Sequence, residues 1–147
     1  MPIGEICNRE VVIAERSLSV GEAARLMRSH HVGDLVVVEK EAGHNRPVGI
    51  VTDRDIVVEV VAAGVAADSL SIGDIMGQDL ATVREGEGVF ETMRLMRAKG
   101  VRRMPVVDSE GGLVGSVTLD DLVMLLAEEM NELAKLVTRE QRREEKT

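Results

Sequence analysis

Apolar residues recur along the chain in two alternating spacings. Leu35-Val36-Val37-Val38 and Val48 to Thr52 are short apolar runs, and Met104-Pro105-Val106-Val107 and Leu113 to Thr118 match them later. Runs of this length, rich in β-branched residues, predict strands. They are apolar on both faces, which predicts strands covered by helices. Ahead of each pair the spacing turns helical. Val20, Ala23, Ala24 and Met27 predict a helix over about 20–30, with Ser19 as N-cap, and Val89, Met93 and Met96, with Leu95 beside them, predict one over about 89–99. Val11-Val12-Ile13 and Leu80-Ala81-Thr82-Val83 open each set with β-like residues, and a second helix starts at Asp53 and again at Leu119. Between the paired strands a turn is expected over 41–46, and a tighter one over 108–112. Pro105 is expected to head its strand, where a missing N–H is tolerated. The predicted unit is β-α-β-β-α, twice.

The letters repeat as well. "PVGIVTDRDIV" at 47–57 returns as "LVGSVTLDDLV" at 113–123, "EAARLMR" at 22–28 as "ETMRLMR" at 91–97, and "IGEI" at 3–6 as "IGDI" at 72–75. The offset is 69 residues from Ile3 to Ile72 and 66 from Gly49 to Gly115, the slip that one shorter loop gives. A repeat this long means two copies of one supersecondary unit packed together. Residues 3–62 form the first copy and 72–126 the second, joined by the small, polar connector Gly64 to Ser71, and 127–147 form a helical, charged tail. The second copy's last helix is expected to run on, because Leu122, Leu126, Met130, Leu133 and Val137 follow steps of three and four, the spacing of a coiled-coil seam. The last residues, Arg139 to Thr147, are expected to fray.

Composition narrows the function. The 147 residues are 44% hydrophobic with one Phe and no Tyr or Trp, so the core is aliphatic and stacking platforms for single-stranded nucleic acid are missing. A net charge of −8 repels polyanions, which makes nucleic acid a poor partner. Cys7 is the one cysteine; it aligns with the apolar Met76 and reads as a packed thiol in a reducing, cytoplasmic setting. No apolar run reaches the length of a membrane span, and the first residues have no basic start or apolar stretch of a secretory leader. His30, His31, His44 and Cys7 do not make a zinc-ligand set, so no metal site is expected. Met27, Met93, Met96 and Met104 fall at core positions.

Two repeats carrying "HVGDLVVV" with "GIVTDRD", and "VRRMPVVD" with "GSVTLDD", resemble the cystathionine-β-synthase (CBS) domain pair, or Bateman module, in its stand-alone bacterial and archaeal form. The likeness runs from residue 3 to about 126. It implies an α/β (α+β) fold of two repeats packed about a pseudo-twofold. It also implies a sensor that binds an adenine nucleotide or adenosyl relative (AMP, ADP, ATP, NAD or S-adenosylmethionine) in clefts between the copies, with Mg²⁺ possible alongside ATP. Two modules are expected to pair as a homodimer. By the resemblance, Thr52 with Asp55 and Thr118 with Asp121 hold the ribose. Arg102 and Arg103 reach the phosphate at the Thr52/Asp55 site from the other copy, and Ile13, Val32, Thr82 and Val101 line the clefts.

The residue types suit that task. A carboxylate accepts two hydrogen bonds from a vicinal diol, as acidic residues do in dinucleotide folds, and Thr adds a hydroxyl that donates or accepts. Gly49 and Gly115 allow close backbone approach. Thr-x-x-Asp before an apolar helix is equally a capping box, and the two roles are compatible. Copy one has Gly33-Asp34 where copy two has Arg102-Arg103, so the site of Thr118 and Asp121 is expected to be weak or empty. Three functions stay open: an adenosyl-ligand sensor; a ligand-free structural or partner-binding protein; and a hydrolase using Asp53/Asp55 or Asp120/Asp121 with Mg²⁺, for which no nucleophile, base and orienter set is visible.

Overall fold

The computed structural model describes residues 1–77 and 79–146. In the first copy, strand β1 (Ile13–Ala14) leads to helix α1 (Val20–His30), strands β2 (Asp34–Glu41) and β3 (His44–Thr52) and helix α2 (Asp53–Ile56), which continues as a π-helix over Val57–Val61. A short helix α3 (Ile72–Ile75) opens the second copy. Strand β4 (Val83–Arg84), helix α4 (Val89–Lys99), strands β5 (Arg103–Val107) and β6 (Leu113–Thr118) and helix α5 (Leu119–Glu145) follow. Each copy has a three-stranded sheet, in the orders β1-β2-β3 and β4-β5-β6. The first pair of each is parallel and the second antiparallel. The repeat extends to detail: a register shift falls between Val37 and Val38, and another between Val106 and Val107.

Helix α1 has the cap its sequence predicts, and α1 and α4 end alike. The Ser19 hydroxyl accepts the Glu22 N–H, and α1 ends at His31 in the left-handed region (φ 55°). Gly100 closes α4 in the same region (φ 67°), a geometry glycine adopts without strain. Leu35, Val36, Val37 and Val38 are all buried, as strands covered on both faces must be.

The cores exchange their first turns. The cluster around Leu35, Val37 and Val51 also holds Ile72 and Met76 from the start of copy two. The cluster around Met104, Val106 and Val117 holds Ile3, with Ile6 and Cys7 packed on it, from the start of copy one. The backbone follows the same exchange. Ile3 N–H donates to Glu87 O (2.6 Å) and Gly4 N–H to Glu85 O (2.9 Å). In the mirrored contact Ile72 N–H donates to Leu18 O (2.9 Å) and Gly73 N–H to Arg16 O (3.1 Å). Each half therefore needs the other to close its interior.

Several details differ from the sequence reading. The first hairpin turns at Ala42 and Gly43 alone, both with positive φ (50° and 83°), as tight two-residue hairpins require. The loop of copy one is thus the tighter one, and its extra residues lengthen the strands instead. Ion pairs of Arg46 with Glu39 (3.0 Å) and Glu41 (2.7 Å), and of Arg16 with Glu39 (2.7 Å), lie along that extension. Pro105 is third in β5 rather than first. Its partner Ser116 turns its N–H and C=O to Asn8, so the pair exchanges no ladder bonds, and β4 joins β5 only from Val106. The missing N–H is therefore not called on. Helix α5 runs to Glu145, past Arg139.

Candidate functional site

Thr52 ends β3 and caps α2. Its Oγ1 accepts the Asp55 N–H (3.2 Å), while Asp55 Oδ2 accepts the Thr52 N–H (2.8 Å). Thr118 and Asp121 repeat the arrangement at the start of α5, at 3.1 and 3.0 Å. The capping role is thus real in both copies. It leaves chemistry over, because each cap uses one carboxylate oxygen and leaves the Thr proton unassigned. All four residues are half-buried.

The copies differ in what faces these caps. Thr52 and Asp55 line a cleft of about 370 Å³ together with Ile50, Gly77, Asp79, Leu80, Ala81, Val101, Arg102 and Arg103. Residues of β3 and α2 form one wall, and the connector after α3 and the start of β5 form the other. Arg103 Nη1 is 2.7 Å from Asp34 Oδ1, a half-buried pair. Arg102 is exposed, with Asp120 at 4.0 Å. The cleft thus brings together two guanidiniums and, counting the partner of Arg103, three carboxylates: Asp34, Asp55 and Asp79.

Around Thr118 and Asp121 the first residues of the chain press on β6. Asn8 and Ser116 exchange backbone hydrogen bonds of 2.9 and 2.8 Å. A Cβ on Gly115 would stand 2.6 Å from Asn8 O and 2.8 Å from Cys7 Sγ. A Cβ on Gly49 would likewise stand 2.5 Å from Met76 Sδ. The close approach of both glycines is therefore to the exchanged segments and not to a ligand. Burial pushes the Cys7 thiol above its ordinary range, against the lowering effect of Arg9.

The four expected lining residues separate. Val101 lies in the Thr52 cleft. Thr82 lines a different cleft, of about 390 Å³, with Arg16, Arg46 and Val48. Val32 packs on the first core, and Ile13 is 38% exposed at the sheet edge. Ile50, Gly77, Asp79, Leu80 and Ala81 escaped the sequence reading. The signal that would have found them is the exchange of first turns, which brings the stretch after α3 alongside β3. His30 and His31 are exposed at the end of α1, while His44 opens β3 and reaches Glu110 Oε2 of the other copy at 2.6 Å. Among the described residues no group of three or more His, Cys, Asp or Glu is arranged to hold a metal, and no helix is long and apolar enough to cross a membrane.

Comparison with known proteins bears on this geometry. The family model for the CBS domain matches residues 3–62 and again 72–128. An uncharacterised protein of Methanopyrus kandleri is 38% identical over 84% of this chain, which spans 61% of that protein's length. Among solved structures, Hypoxic Response Protein I with two coordinated zinc ions superposes with a TM-score of 0.73 at 29% identity, covering 84% of this chain and 98% of that one. A CBS domain pair in complex with 5′-methylthioadenosine and S-adenosyl-L-methionine superposes with a TM-score of 0.74 at 26% identity, covering 88% and 98%.

Proposed function

The chain belongs to the CBS domain family as a tandem pair, and from that premise we propose that it is a regulatory module, not an enzyme, whose Thr52/Asp55 cleft binds an adenosyl ligand. The observation that carries this reading is the meeting, in one cleft, of Thr52 and Asp55 from the first copy with Arg102 and Arg103 from the second. Asp55 Oδ1 and the Thr52 hydroxyl proton remain available for a ribose diol after the cap is made. Ile50, Leu80, Ala81 and Val101 offer apolar walls to a purine. Arg102 and Arg103, in the same cleft, suit an anionic 5′ substituent.

Charge favours a ligand with little of it. Arg103 is already matched by Asp34, and Asp79 adds a further carboxylate, so a triphosphate without its cation meets a poorly compensated surface. We infer the order 5′-methylthioadenosine, S-adenosylmethionine and AMP ahead of ADP, NAD and ATP. The solved relative in complex with the first two of these supports it. A ligand held by both copies favours one arrangement of the pair over others, and a partner protein or a homodimer then reads that arrangement.

A thermal-shift series with these six compounds, with and without Mg²⁺, tests the reading. A ligand at about 100-fold its Kd stabilises by roughly 2.7 kcal/mol, a shift of several degrees for a domain of this size. No shift with any compound overturns it. A ligand-free scaffold is then the better account, and one observation already favours that second reading: Arg103 is committed to Asp34.

A further inference from the structure

Helix α5 leaves the domain uncovered. Residues 126–146 are all exposed, so about 20 residues, roughly 30 Å at 1.5 Å per residue, stand clear of the body. Most helical stability in a protein comes from packing one apolar face rather than from propensity. This one has such a face. Val123, Leu126, Met130, Leu133 and Val137 follow strict three-four steps, and their exposure runs from 41% at Leu126 to 66% at Met130. Leu122, one residue off that line, is buried in the domain core at 3% exposure, so the free seam begins at Val123. At its base the stripe runs into an apolar groove of about 490 Å³ between α4 and α5, lined by Met93, Met96, Leu119, Leu122, Val123 and Leu126.

We propose that α5 pairs antiparallel with α5 of a second copy of this chain. Charge selects both the occupant and the direction. From Asp120 to Glu132 the helix carries Asp120, Asp121, Glu128, Glu129 and Glu132 and no basic residue. From Lys135 to Arg143 it carries Lys135, Arg139, Arg142 and Arg143 against one acid, Glu140. A parallel pair would lay acid on acid and base on base. An antiparallel pair lays the acidic half of each copy along the basic half of the other. A twofold axis midway between Asn131 and Glu132 sets Met130 opposite Leu133 of the second copy and Leu126 opposite its Val137. Each layer then joins an a to a d position, as antiparallel coiled coils require. The contact is self-complementary and closes at two chains. It is independent of the adenosyl cleft.

Sedimentation equilibrium on the full chain tests the pairing. The wild type is expected to be a dimer, and Met130→Glu/Leu133→Glu, altering only exposed positions, is expected to raise the dissociation constant at least about 100-fold. Direction is read by cysteine cross-linking in a Cys7→Ser background. Leu126→Cys/Val137→Cys is expected to form a disulfide-linked dimer under mild oxidation, and Val137→Cys alone is not, since the two Val137 positions lie at opposite ends of an antiparallel pair. Cross-linking of the single variant overturns the proposal in favour of a parallel pair. A monomeric wild type, or a dimer indifferent to the double glutamate change, overturns it in favour of a different protein or surface.

Discussion

Arg103 of the second repeat holds Asp34 of the first, Nη1 to Oδ1, at 2.7 Å beside the Thr52 cleft. The repeats put Arg103 and Asp34 at equivalent places, 69 residues apart, so the two copies carry opposite charge at the same position. The pair ties the copies together and lowers the field a phosphate would feel. Asp34→Asn is expected to tighten AMP binding about three- to tenfold, near 1 kcal/mol, and to leave uncharged 5′-methylthioadenosine unchanged. Titration calorimetry with both ligands checks this. Equal effects on the two would mean that Arg103 does not face the phosphate.

Asp55 and Asp121 make the same cap but face different surroundings, and that separates structure from binding. Loss of a reciprocal cap costs about 1 kcal/mol, so Asp55→Ala and Asp121→Ala are expected to lower the Tm of the unliganded chain by similar amounts. Only Asp55→Ala is expected to abolish the ligand-induced shift. Titration should accordingly find one adenosyl ligand per chain. Two equivalent sites, or a ligand lost equally in both variants, would contradict the asymmetry drawn from Arg103 and Asn8.

The long helices were legible because their signals are local. Ser19 caps α1, and the apolar positions Val20, Ala23 and Met27 in α1 and Val89, Met93 and Met96 in α4 set the two faces. The doubling of Thr-x-x-Asp pointed to Thr52 and Asp55, and the Arg102-Arg103 against Gly33-Asp34 contrast pointed to which copy holds the basic groups. The exchange of first turns was not legible, since Ile3 and Ile72 are apolar whichever core they enter, and only tertiary contacts decide. Asp79, Leu80 and Ala81 were missed with it. The charged run Glu41 to Arg46 read as a turn because its strand residues are held by exposed ion pairs rather than by an apolar face. Leu122 and Val123, adjacent and both apolar, differ only in which side of α5 meets the domain, and spacing alone did not separate core from seam.

Two glycines in equivalent positions are expected to tolerate alanine unequally. At Gly49 the added methyl meets the thioether of Met76, a flexible side chain that can swing away, and a cost of about 1 kcal/mol is expected. At Gly115 it meets the carbonyl oxygen of Asn8, which is fixed by the paired hydrogen bonds to Ser116. Backbone must move there, and about 2–3 kcal/mol is expected. Urea unfolding of Gly49→Ala and Gly115→Ala compares them. A larger loss at Gly49 would mean that the first residues of the chain yield more easily than their hydrogen bonds suggest.

Cys7 is expected to weaken the fold in alkali. Its thiol donates weakly to Gly4 O at 3.5 Å, and burial raises its pKa, with Glu85 and Asp121 adding to the rise and Arg9 opposing it. The folded chain therefore keeps this proton at a pH where the unfolded chain has begun to release it. Protons bound in the unfolded state are then fewer than in the folded state, and the linkage slope of stability with pH is negative. Cys7 leaves stability unaffected below the ordinary thiol range, near 8.5, and subtracts from it as pH rises above. The same shift keeps the nucleophilic thiolate scarce, so a disulfide reagent at pH 8 is expected to react more slowly with the native chain than with the chain in denaturant. Cys7→Ser removes the titrating group. If its stability falls between pH 8 and 10 as steeply as that of the wild type, the alkaline loss belongs to other residues and the thiol has no part in it.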